Sequence, residues 1–240
     1  MTGLGVLLPA GLRPHAPLVD LADPRAGVVD GPDLGPWLKR RKDARLLARA
    51  SELALPAAGL AMREFTGDLE ALGLFVAVGR EPPDEGDAEL SLVAMAREGR
   101  LDLGKLGGEG RALYPPLLPL RTLPNMALAH VAIQHGIRGE NACFSGGTEA
   151  GGHAWAAAIE ALASGRCAEV LVGAAYSSVD FASARDRLRL GLAGAPGEGA
   201  IFVRLRVPMR LPTPSLDWAD RVGDVGPVVA FLGLAEVPRG

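Results

Sequence analysis

Cysteine is scarce in this sequence, since Cys143 and Cys167 are the only two among 240 residues. Two cysteines exclude a disulfide framework and a cysteine-rich metal site, and they fit a reducing cytoplasm. An excess of either charge is also missing, because 25 basic and 28 acidic side chains give a net charge of −3. Without a basic stripe to neutralise phosphates, nucleic acid is not an expected partner.

Long apolar runs are absent as well. No run approaches the roughly 18 residues that a membrane-spanning helix needs, and the N-terminus has no basic region leading into a signal-like apolar segment. Hydrophobic residues nevertheless make up 48% of the chain, which argues against disorder and supports a sizeable core. The composition therefore predicts a soluble, cytoplasmic protein without membrane insertion.

Short apolar runs alternate with helical patterns along the chain, and 32 glycines and 19 prolines separate them without forming a repeat. The predicted strands are TGLGVLLPAG (2–11), GLFVAVGR (73–80), NACFS (141–145), CAEVLVGAA (167–175), GEGAIFVRLR (197–206) and PVVAFLGLAEV (227–237). The predicted helices cover 39–62, 88–97, a segment starting at Met126, and 150–164. This alternation predicts an α/β fold with a largely parallel sheet and an antiparallel pair near the end.

Prolines shape two of the predicted helical regions. Pro56 is expected to kink or interrupt the helix over 39–62. The prolines between Ala112 and Pro124 are expected to hold an extended loop, after which Asn125 caps the next helix. The apolar face of that helix is predicted to contain Met126, Ala129 and Ile133, with His130 beside them.

The most informative segment is GIRGENACFSGGTEAGG, from Gly136 to Gly152. A glycine-rich turn here joins a strand to an alanine-rich helix, a geometry that exposes a catalytic cysteine or serine at a helix N-terminus. The partial positive charge of that terminus favours a thiolate. Thr148 and Glu149 stand there instead. A threonine hydroxyl needs an adjacent base, and a glutamate is a poor acyl acceptor, so the sequence predicts a nucleophile site without a nucleophile.

Two other residues are candidate nucleophiles. Cys143 lies five residues before Thr148, on the strand side of the turn and away from the helix. A buried structural cysteine is the favoured interpretation, with a nucleophile as the alternative. Ser145 would need a glycine two residues before it to form a hydrolase elbow, and none is there, so His153 is only a speculative base.

Neither the histidines nor the glycines of this region predict a bound metal or cofactor. The histidines are His130, His135 and His153, and they do not form a metal-ligand spacing with carboxylates. The glycines are Gly146, Gly147, Gly151 and Gly152, and they match no phosphate-binding pattern. Packed or surface histidines, a tight turn and close helix packing are sufficient explanations.

The order of motifs resembles the N-terminal half of the β-ketoacyl synthases, which have a thiolase-like fold. The segments that carry the resemblance are TGLGVLLPAG, GLFVAVG, NMALAHVAIQHGIRGEN, AEVLVGAA, GEGAIFVRLR and PVVAFLGLAEV. Together they cover nearly all of the chain. The resemblance implies one domain, 1–240, with a thiolase-like α/β fold: a mostly parallel mixed sheet flanked by helices.

Two departures from the family pattern imply that this chain has no catalytic residue of its own. Counting without gaps from Asn125 puts Thr148 at the position of the family's cysteine, whereas matching the Ala-Gly-Gly that follows puts Glu149 there. The family's catalytic histidines and lysine lie in a C-terminal half, and the sequence ends before one. Glu149 is expected either to line or plug the acyl tunnel or to cap the helix that begins there.

A subgroup of the family shares the first departure. Glu149 to Gly152 resembles the Gln-Ala-Gly-Gly of the chain-length factors of type II polyketide synthases, including the short forms of aryl-polyene-like pathways. The resemblance implies a pseudoenzyme that forms a heterodimer with an active β-ketoacyl synthase and meets acyl carrier protein through that partner, without a cofactor. The strand expected to pair across the dimer axis consists of Asn141, Ala142, Cys143, Phe144 and Ser145.

Two rival hypotheses remain open. The first is an active acyltransferase or condensing enzyme with degenerate motifs that uses Cys143. The second is a self-associating structural module with no role in a pathway.

Overall fold

A computed structural model of the chain describes residues 2–7, 27–83, 85–190, 196–207, 226–228 and 231. The strands are β1 (Gly3–Leu7), β2 (Leu72–Val78), β3 (Ala96–Arg97), β4 (Arg100–Leu101), β5 (Asn141–Ser145), β6 (Glu169–Ser177) and β7 (Glu198–Arg206). The helices are α1 (Arg49–Met62), α2 (Glu85–Met95), α3 (Leu103–Gly107), α4 (Leu118–Thr122), α5 (Met126–His135), α6 (Thr148–Ala163) and α7 (Phe181–Leu190). Short 3₁₀ turns lie at Gly35–Trp37, Arg41–Leu46, Glu109–Ala112 and Gly226–Val228.

Five strands form the central sheet in the order β1-β7-β6-β2-β5, and β3 and β4 form a separate hairpin. Strand β2 is parallel to both β5 and β6, whereas β7 is antiparallel to β6 and to β1. In this sheet β7 is therefore the one strand that runs antiparallel to the other four. The predicted α/β fold with a mixed, mostly parallel sheet is confirmed. Strand β2 is buried along its whole length, as its continuous apolar run requires of a strand covered on both faces.

Helices cover both faces of the sheet, and alternate residues of β2 contact opposite layers. Phe75 and Ala77 pack with helix α6, in a hydrophobic cluster that includes Trp155. Leu74 and Val76 pack with α1 and α5 in a second cluster. This alternation follows from the two-residue period of a strand.

The edge strand β1 lies unusually close to helix α1. A Cβ atom added at Gly5 would lie 1.8 Å from the carbonyl oxygen of Ala57, and one added at Gly3 would lie 2.1 Å from the carbonyl oxygen of Ala61. Both positions must therefore be glycine for the strand to approach the helix backbone. Strand β1 pairs with β7 in a register that places Gly3 opposite Arg204.

Of the kink or interruption predicted at Pro56 in a helix over 39–62, the interruption is wrong. Helix α1 runs through Pro56, which is buried inside it. The break lies earlier, at Leu47 and Ala48, where both residues are extended and separate α1 from the preceding 3₁₀ turn. Pro56 removes the hydrogen bond to the carbonyl of Glu52, but apolar burial on both sides of the proline holds the helix together.

The extended loop predicted up to Pro124 is also wrong in part. Residues Leu118–Thr122 form helix α4, and Glu109–Ala112 form a 3₁₀ turn. Pro119 lies in the first turn of α4, where a missing N–H costs no helical hydrogen bond. Pro119 therefore helps to begin a helix in a segment where the prolines had predicted that no helix would form.

Helix α5 begins after Asn125 as predicted, but the Asn125 side chain makes no capping bond. The predicted face is correct for the buried His130 and wrong at Ile133. Ile133 is 58% exposed. The buried residues are Ala127, Leu128, His130, Val131 and Gln134. Gln134 faces inward because its side chain accepts a hydrogen bond from Lys39 N at 2.7 Å and donates one to Asp43 at 3.1 Å. These polar contacts add to the apolar packing of Ala127, Leu128 and Val131 in orienting the helix.

Helix α2 lies within two or three residues of its predicted bounds, with an unexpected orientation. It buries Asp87, Ser91 and Ala94, and it exposes Leu90, Leu92 and Val93. Asp87 forms an ion pair with Arg121 of α4, and the Ser91 hydroxyl donates to the Asp87 carbonyl at 2.7 Å. Polar contacts thus fix the inner face of α2, and its apolar face is left outside.

The predicted strand over 227–237 falls mostly outside the described residues. Its first two residues belong to the 3₁₀ turn Gly226–Val228, so the strand does not begin there. The ring of Phe231 packs edge-on against Trp155 of α6, with 5.8 Å between ring centroids. The antiparallel pairing expected near the end is instead that of β7 with β6 and β1. No helix in the described part of the chain has both the length and the apolar character to cross a membrane.

Candidate functional site

A cavity of about 500 Å³ lies beyond the carboxyl ends of β2, β5 and β6. Its lining residues are Arg80, Glu81, Thr122, Pro124, Ser145, Gly146, Gly147, Thr148, Tyr176 and Gly226. The carboxyl ends of parallel strands are where open α/β sheets bind their ligands. The N-terminus of α6 also opens here. This cavity, called the site cavity below, is the candidate functional site.

The turn between β5 and α6 has the predicted strand–turn–helix geometry. Gly146 N donates to the carbonyl of Val78 at 3.0 Å, which ties the turn to the end of β2. Gly147 then occupies the N-cap position, and α6 begins at Thr148. The first turn of the helix is therefore presented to the site cavity, as a nucleophile at this place would require.

Thr148 and Glu149 point in different directions. Thr148 is half-buried and lines the site cavity. Glu149 is exposed, and its carboxylate turns back to accept a hydrogen bond from Gly147 N at 3.0 Å. A Cβ atom at Gly146 or Gly147 would lie 2.9 Å from a Glu149 carboxylate oxygen. The two glycines thus leave room for the carboxylate at the helix end.

The helix end holds Glu149 in its ionised form. Hydrogen bonds from the Glu149 N–H and then from Gly147 lower the pKa of this carboxyl group, and the nearby His153 lowers it further. An anion accepting backbone N–H groups at a helix N-terminus is a stabilising cap. Such a carboxylate is not an acyl acceptor. Of the two roles expected for Glu149, capping is the one its contacts describe.

Cys143 is poorly placed to act as a nucleophile. It lies on β5 and packs against the cluster formed with α1 and α5, and it is not among the residues that line the site cavity. Its Sγ donates to the carbonyl of Pro124 at 3.5 Å. Burial raises the pKa of the Cys143 thiol to about 11, so the thiolate form is rare at neutral pH.

Ser145 and His153 do not form a catalytic pair. Ser145 lines the site cavity and is exposed. His153 is exposed on α6, where its ring contacts Phe144 with 6.5 Å between ring centroids. No hydrogen bond joins Ser145 to His153 within the described residues, so the hydrolase alternative gains no geometric support.

His130 and His135 face the protein interior. Their Nε2 atoms lie 3.2 Å from the carbonyl oxygen of Leu46 and 3.4 Å from that of Leu55, respectively. Burial lowers the pKa of both side chains, which favours neutral rings that serve backbone carbonyls. Among the residues described by the structure, no group of three or more histidines, cysteines or carboxylates is arranged to hold a metal ion.

Glu81 is a site residue that the sequence analysis missed. Its Oε1 accepts a hydrogen bond from Ala50 N at 3.0 Å, whereas Oε2 is buried and has no hydrogen-bond partner among the described residues. Burial raises the pKa of Glu81 to about 7, and the carboxylates of Asp180 and Glu52 add to that shift. The available signal was an acidic residue placed directly after the end of a buried strand.

Strand β5 presents a free backbone edge. Leu74 N donates to the carbonyl of Glu140 at 2.8 Å, and Gly146 N donates to Val78. Since alternate residues of a parallel strand bond to the same neighbour, the N–H and C=O groups of Asn141, Cys143 and Ser145 point away from β2. No other described strand pairs with them. Strand β5 has no charged residue or proline, the features that usually protect an edge.

The comparison with family models identifies one match. Residues 40–199 match the beta-ketoacyl synthase, N-terminal domain. That range contains β2, β5 and β6, the turn that bears Thr148 and Glu149, and most of the residues that line the site cavity. No curated protein matches the sequence.

Solved structures with the same fold include three relevant neighbours. A ketosynthase bound to the hexaketide, in complex with its type II polyketide acyl-carrier protein, is 16% identical with a TM-score of 0.65, over 85% of this chain and 61% of that chain. The ishigamide ketosynthase/chain length factor is 24% identical with a TM-score of 0.56, over 90% and 64%. A beta-ketoacyl synthase from Burkholderia phymatum STM815 is 18% identical with a TM-score of 0.61, over 86% and 58%. The chain spans less than two thirds of each of these chains.

Proposed function

The chain belongs to the β-ketoacyl synthase family, and we propose that it is a non-catalytic, chain-length-factor-like subunit that pairs with an active β-ketoacyl synthase. The complex would extend acyl chains in type II polyketide biosynthesis of the aryl-polyene-like kind, or in fatty-acid-type biosynthesis. Acyl carrier protein would dock through the active partner, in the cytoplasm. The whole chain, 1–240, would act as one domain.

One observation carries this proposal: the nucleophile turn is built, but among the described residues it holds no thiol and no hydroxyl bonded to a base. Thr148 lines the site cavity, and no histidine or cysteine lines it among the described residues. Glu149 is engaged in capping α6. Covalent acyl transfer needs an activated nucleophile beside a base, so the chemistry is assigned to the partner.

The free edge of β5 supports pairing with a second subunit. Asn141, Cys143 and Ser145 have outward N–H and C=O groups that another strand could satisfy, and the half-buried Phe144 stands beside them. An exposed, uncharged edge of this kind is a template for adding a strand. The resemblance to the family leads us to expect the dimer axis at this strand, with an obligate interface above roughly 2,000 Å².

The contribution of this chain to the complex would be steric. The residues that line the site cavity include the end of β5, at the proposed interface, and the first residue of α6. Their side chains would set how far a growing acyl chain can extend, without a covalent step on this subunit. The neighbours named as a ketosynthase/chain length factor and as a ketosynthase with its acyl-carrier protein illustrate the kinds of partner that the proposal requires.

Coexpression with an intact β-ketoacyl synthase encoded beside this chain tests the proposal, with native mass spectrometry as the measurement. We expect a one-to-one heterodimer. Asn141→Pro removes an outward N–H at the first residue of β5, where the bonds to β2 are untouched and proline is tolerated. This variant should weaken the heterodimer, whereas Asn141→Ser should not. A chain that stays monomeric or pairs only with itself would contradict the proposal.

A second experiment addresses the rival enzyme that uses Cys143. The purified chain is incubated with an acyl thioester, and its intact mass is measured. We expect no covalent adduct. An adduct that disappears in Cys143→Ala would overturn the non-catalytic assignment.

A further inference from the structure

Glu81 borders two cavities. It lines the site cavity of about 500 Å³ and also a second cavity of about 300 Å³. Apolar residues of the second cavity include Leu47, Pro82, Leu118 and Val179, and its charged residues besides Glu81 are Arg49, Glu52, Asp87, Arg121 and Asp180. Among the described residues, Glu81 is the one residue common to both linings, so the two cavities adjoin at Glu81 and it forms part of the wall of each.

This wall residue is held at only one of its two carboxyl oxygens. Oε1 accepts the hydrogen bond from Ala50 at the start of α1, and the buried Oε2 has no hydrogen-bond partner in the described part of the chain. A buried, unpartnered carboxylate oxygen is costly, and a neutral carboxyl is the cheaper form. The neutral side chain can therefore remain in the wall, whereas the ionised one is destabilised there.

Within the described part of the chain, no cation pairs with the Glu81 carboxylate. The groups that face it or share its cavities are Arg80, Arg49 and Glu52 of α1, Asp87 of α2, Arg121 of α4, Asp180 before α7, and the phenol of Tyr176. Each guanidinium already binds another carboxylate: Arg49 binds Glu198 at 2.6 Å, Arg80 binds Asp186 at 2.6 Å, and Arg121 binds Asp87. Glu52 and Asp180 repel a negative charge on Glu81.

We propose that Glu81 limits the depth of the site cavity and so determines the longest acyl chain that this subunit accepts. The inference rests on the proposed function, because it takes an acyl chain as the ligand. With Glu81 in place, the chain ends within the site cavity. When the side chain is shortened, or leaves the wall after ionisation, the two cavities join and a longer chain is accommodated.

The test is a binding series on the purified full chain, using saturated acyl-N-acetylcysteamine thioesters of increasing length and isothermal titration calorimetry at pH 6. In the wild type, affinity should rise by about fourfold per methylene until the cavity is filled and then stop rising. Glu81→Ala should continue this rise for several more methylenes. Glu81→Gln keeps the size of the side chain, so its affinity should stop rising at the wild-type thioester length. Glu52→Ala truncates an acidic residue that borders only the second cavity, and the affinity of this variant should also stop rising at the wild-type length.

Raising the pH provides the second readout, since Glu81 titrates near neutrality. At pH 8.5 the wild type should accept longer thioesters, as Glu81→Ala does, and Glu81→Gln should not change. The inference is overturned if the affinity of Glu81→Ala stops rising at the wild-type thioester length, or if Glu52→Ala or Glu81→Gln binds longer thioesters as Glu81→Ala does. It is also overturned if the length limit of the wild type does not change with pH, or if no thioester binds. Heterodimer formation is measured separately and does not depend on Glu81, so its failure would instead count against the proposed function.

Discussion

The carboxylate of Glu149 accepts a hydrogen bond from the backbone N–H of Gly147, with 3.0 Å between Oε1 and N. The helix end that would activate a thiol or bind a substrate anion therefore carries an anion of its own chain. The same partial positive charge that promotes catalysis in an enzyme here stabilises a cap. The contact accounts for two features of the sequence, an acidic residue in the first turn of α6 and two glycines before it.

Replacing Glu149 with glutamine should lower the thermal midpoint at pH 7 and have little effect at low pH. Hydrogen bonds from backbone N–H groups lower the folded pKa of Glu149 from its ordinary value, so its stabilising contribution is present above the unfolded pKa and is lost as the pH falls through the folded value. Thermal unfolding from pH 7 down to pH 2.5 measures the difference. Glu64→Gln, at an exposed carboxyl remote from the cap, is the control. A constant difference at all pH values would argue against the cap.

Cys143 should react slowly with alkylating reagents. A thiol pKa of about 11 leaves about one molecule in ten thousand as thiolate at pH 7. The rate of iodoacetamide modification, followed by peptide mass spectrometry between pH 7 and pH 11, should rise throughout that range. Free cysteine measured beside it supplies the reference, and a Cys143 rate that levels off near pH 8 would refute the assignment.

Glu198 should be essential to stability. It is fully buried and is bonded by Arg49 through two nitrogens, at 2.6 and 3.0 Å, and by Ser177 and Val29 N. Glu198→Ala leaves these donors without their acceptor and should lower the free energy of unfolding by roughly 3 kcal/mol, at the low end for a broken buried pair because Arg49 is partly solvated.

The matched control for that variant is Glu52→Ala, which removes the other carboxylate bonded to Arg49. Both members of that pair are about one-third exposed, so the loss should be no more than about 1 kcal/mol. Urea denaturation of the two variants gives the comparison. Equal losses of unfolding free energy in the two variants would show that the burial of Glu198 does not add to its contribution to stability.

Alanine should have opposite effects at two glycines. Gly5→Ala would place a Cβ atom 1.8 Å from the Ala57 carbonyl oxygen, and separating β1 from α1 should cost about 3 kcal/mol or more. Gly152 lies inside α6 and has no atom within 4 Å of an added Cβ, so Gly152→Ala should stabilise by about 0.5–1 kcal/mol. Urea denaturation measures both, and a stabilising Gly5→Ala would disprove the close approach.

The sequence predicted the sheet well because its strands are apolar runs with few alternatives. Strands β2, β6 and β7 are buried almost throughout, so composition alone identifies them. The turn before Thr148 was equally recognisable, since glycines between a strand and an alanine-rich helix permit few other structures.

Helix orientation could not be predicted in the same way. Gln134 and Asp87 face inward because of specific partners, Asp43 and Arg121, which lie far away in sequence. A periodicity argument treats such side chains as surface residues. Glu81 was missed for the same reason: its importance comes from two cavities and from Ala50 N, which only the fold brings to it.

The pairing of β1 with β7 determines when the sheet can be completed during synthesis. Gly3 lies opposite Arg204, so β1 cannot pair until β7, the last of the described strands, has been synthesised. Strands β2, β5 and β6 can assemble earlier, since they are complete by Ser177. A partner strand could therefore add to β5 while β1 is still unpaired, so under the proposed function production of this subunit should benefit from a ketosynthase made at the same time and place.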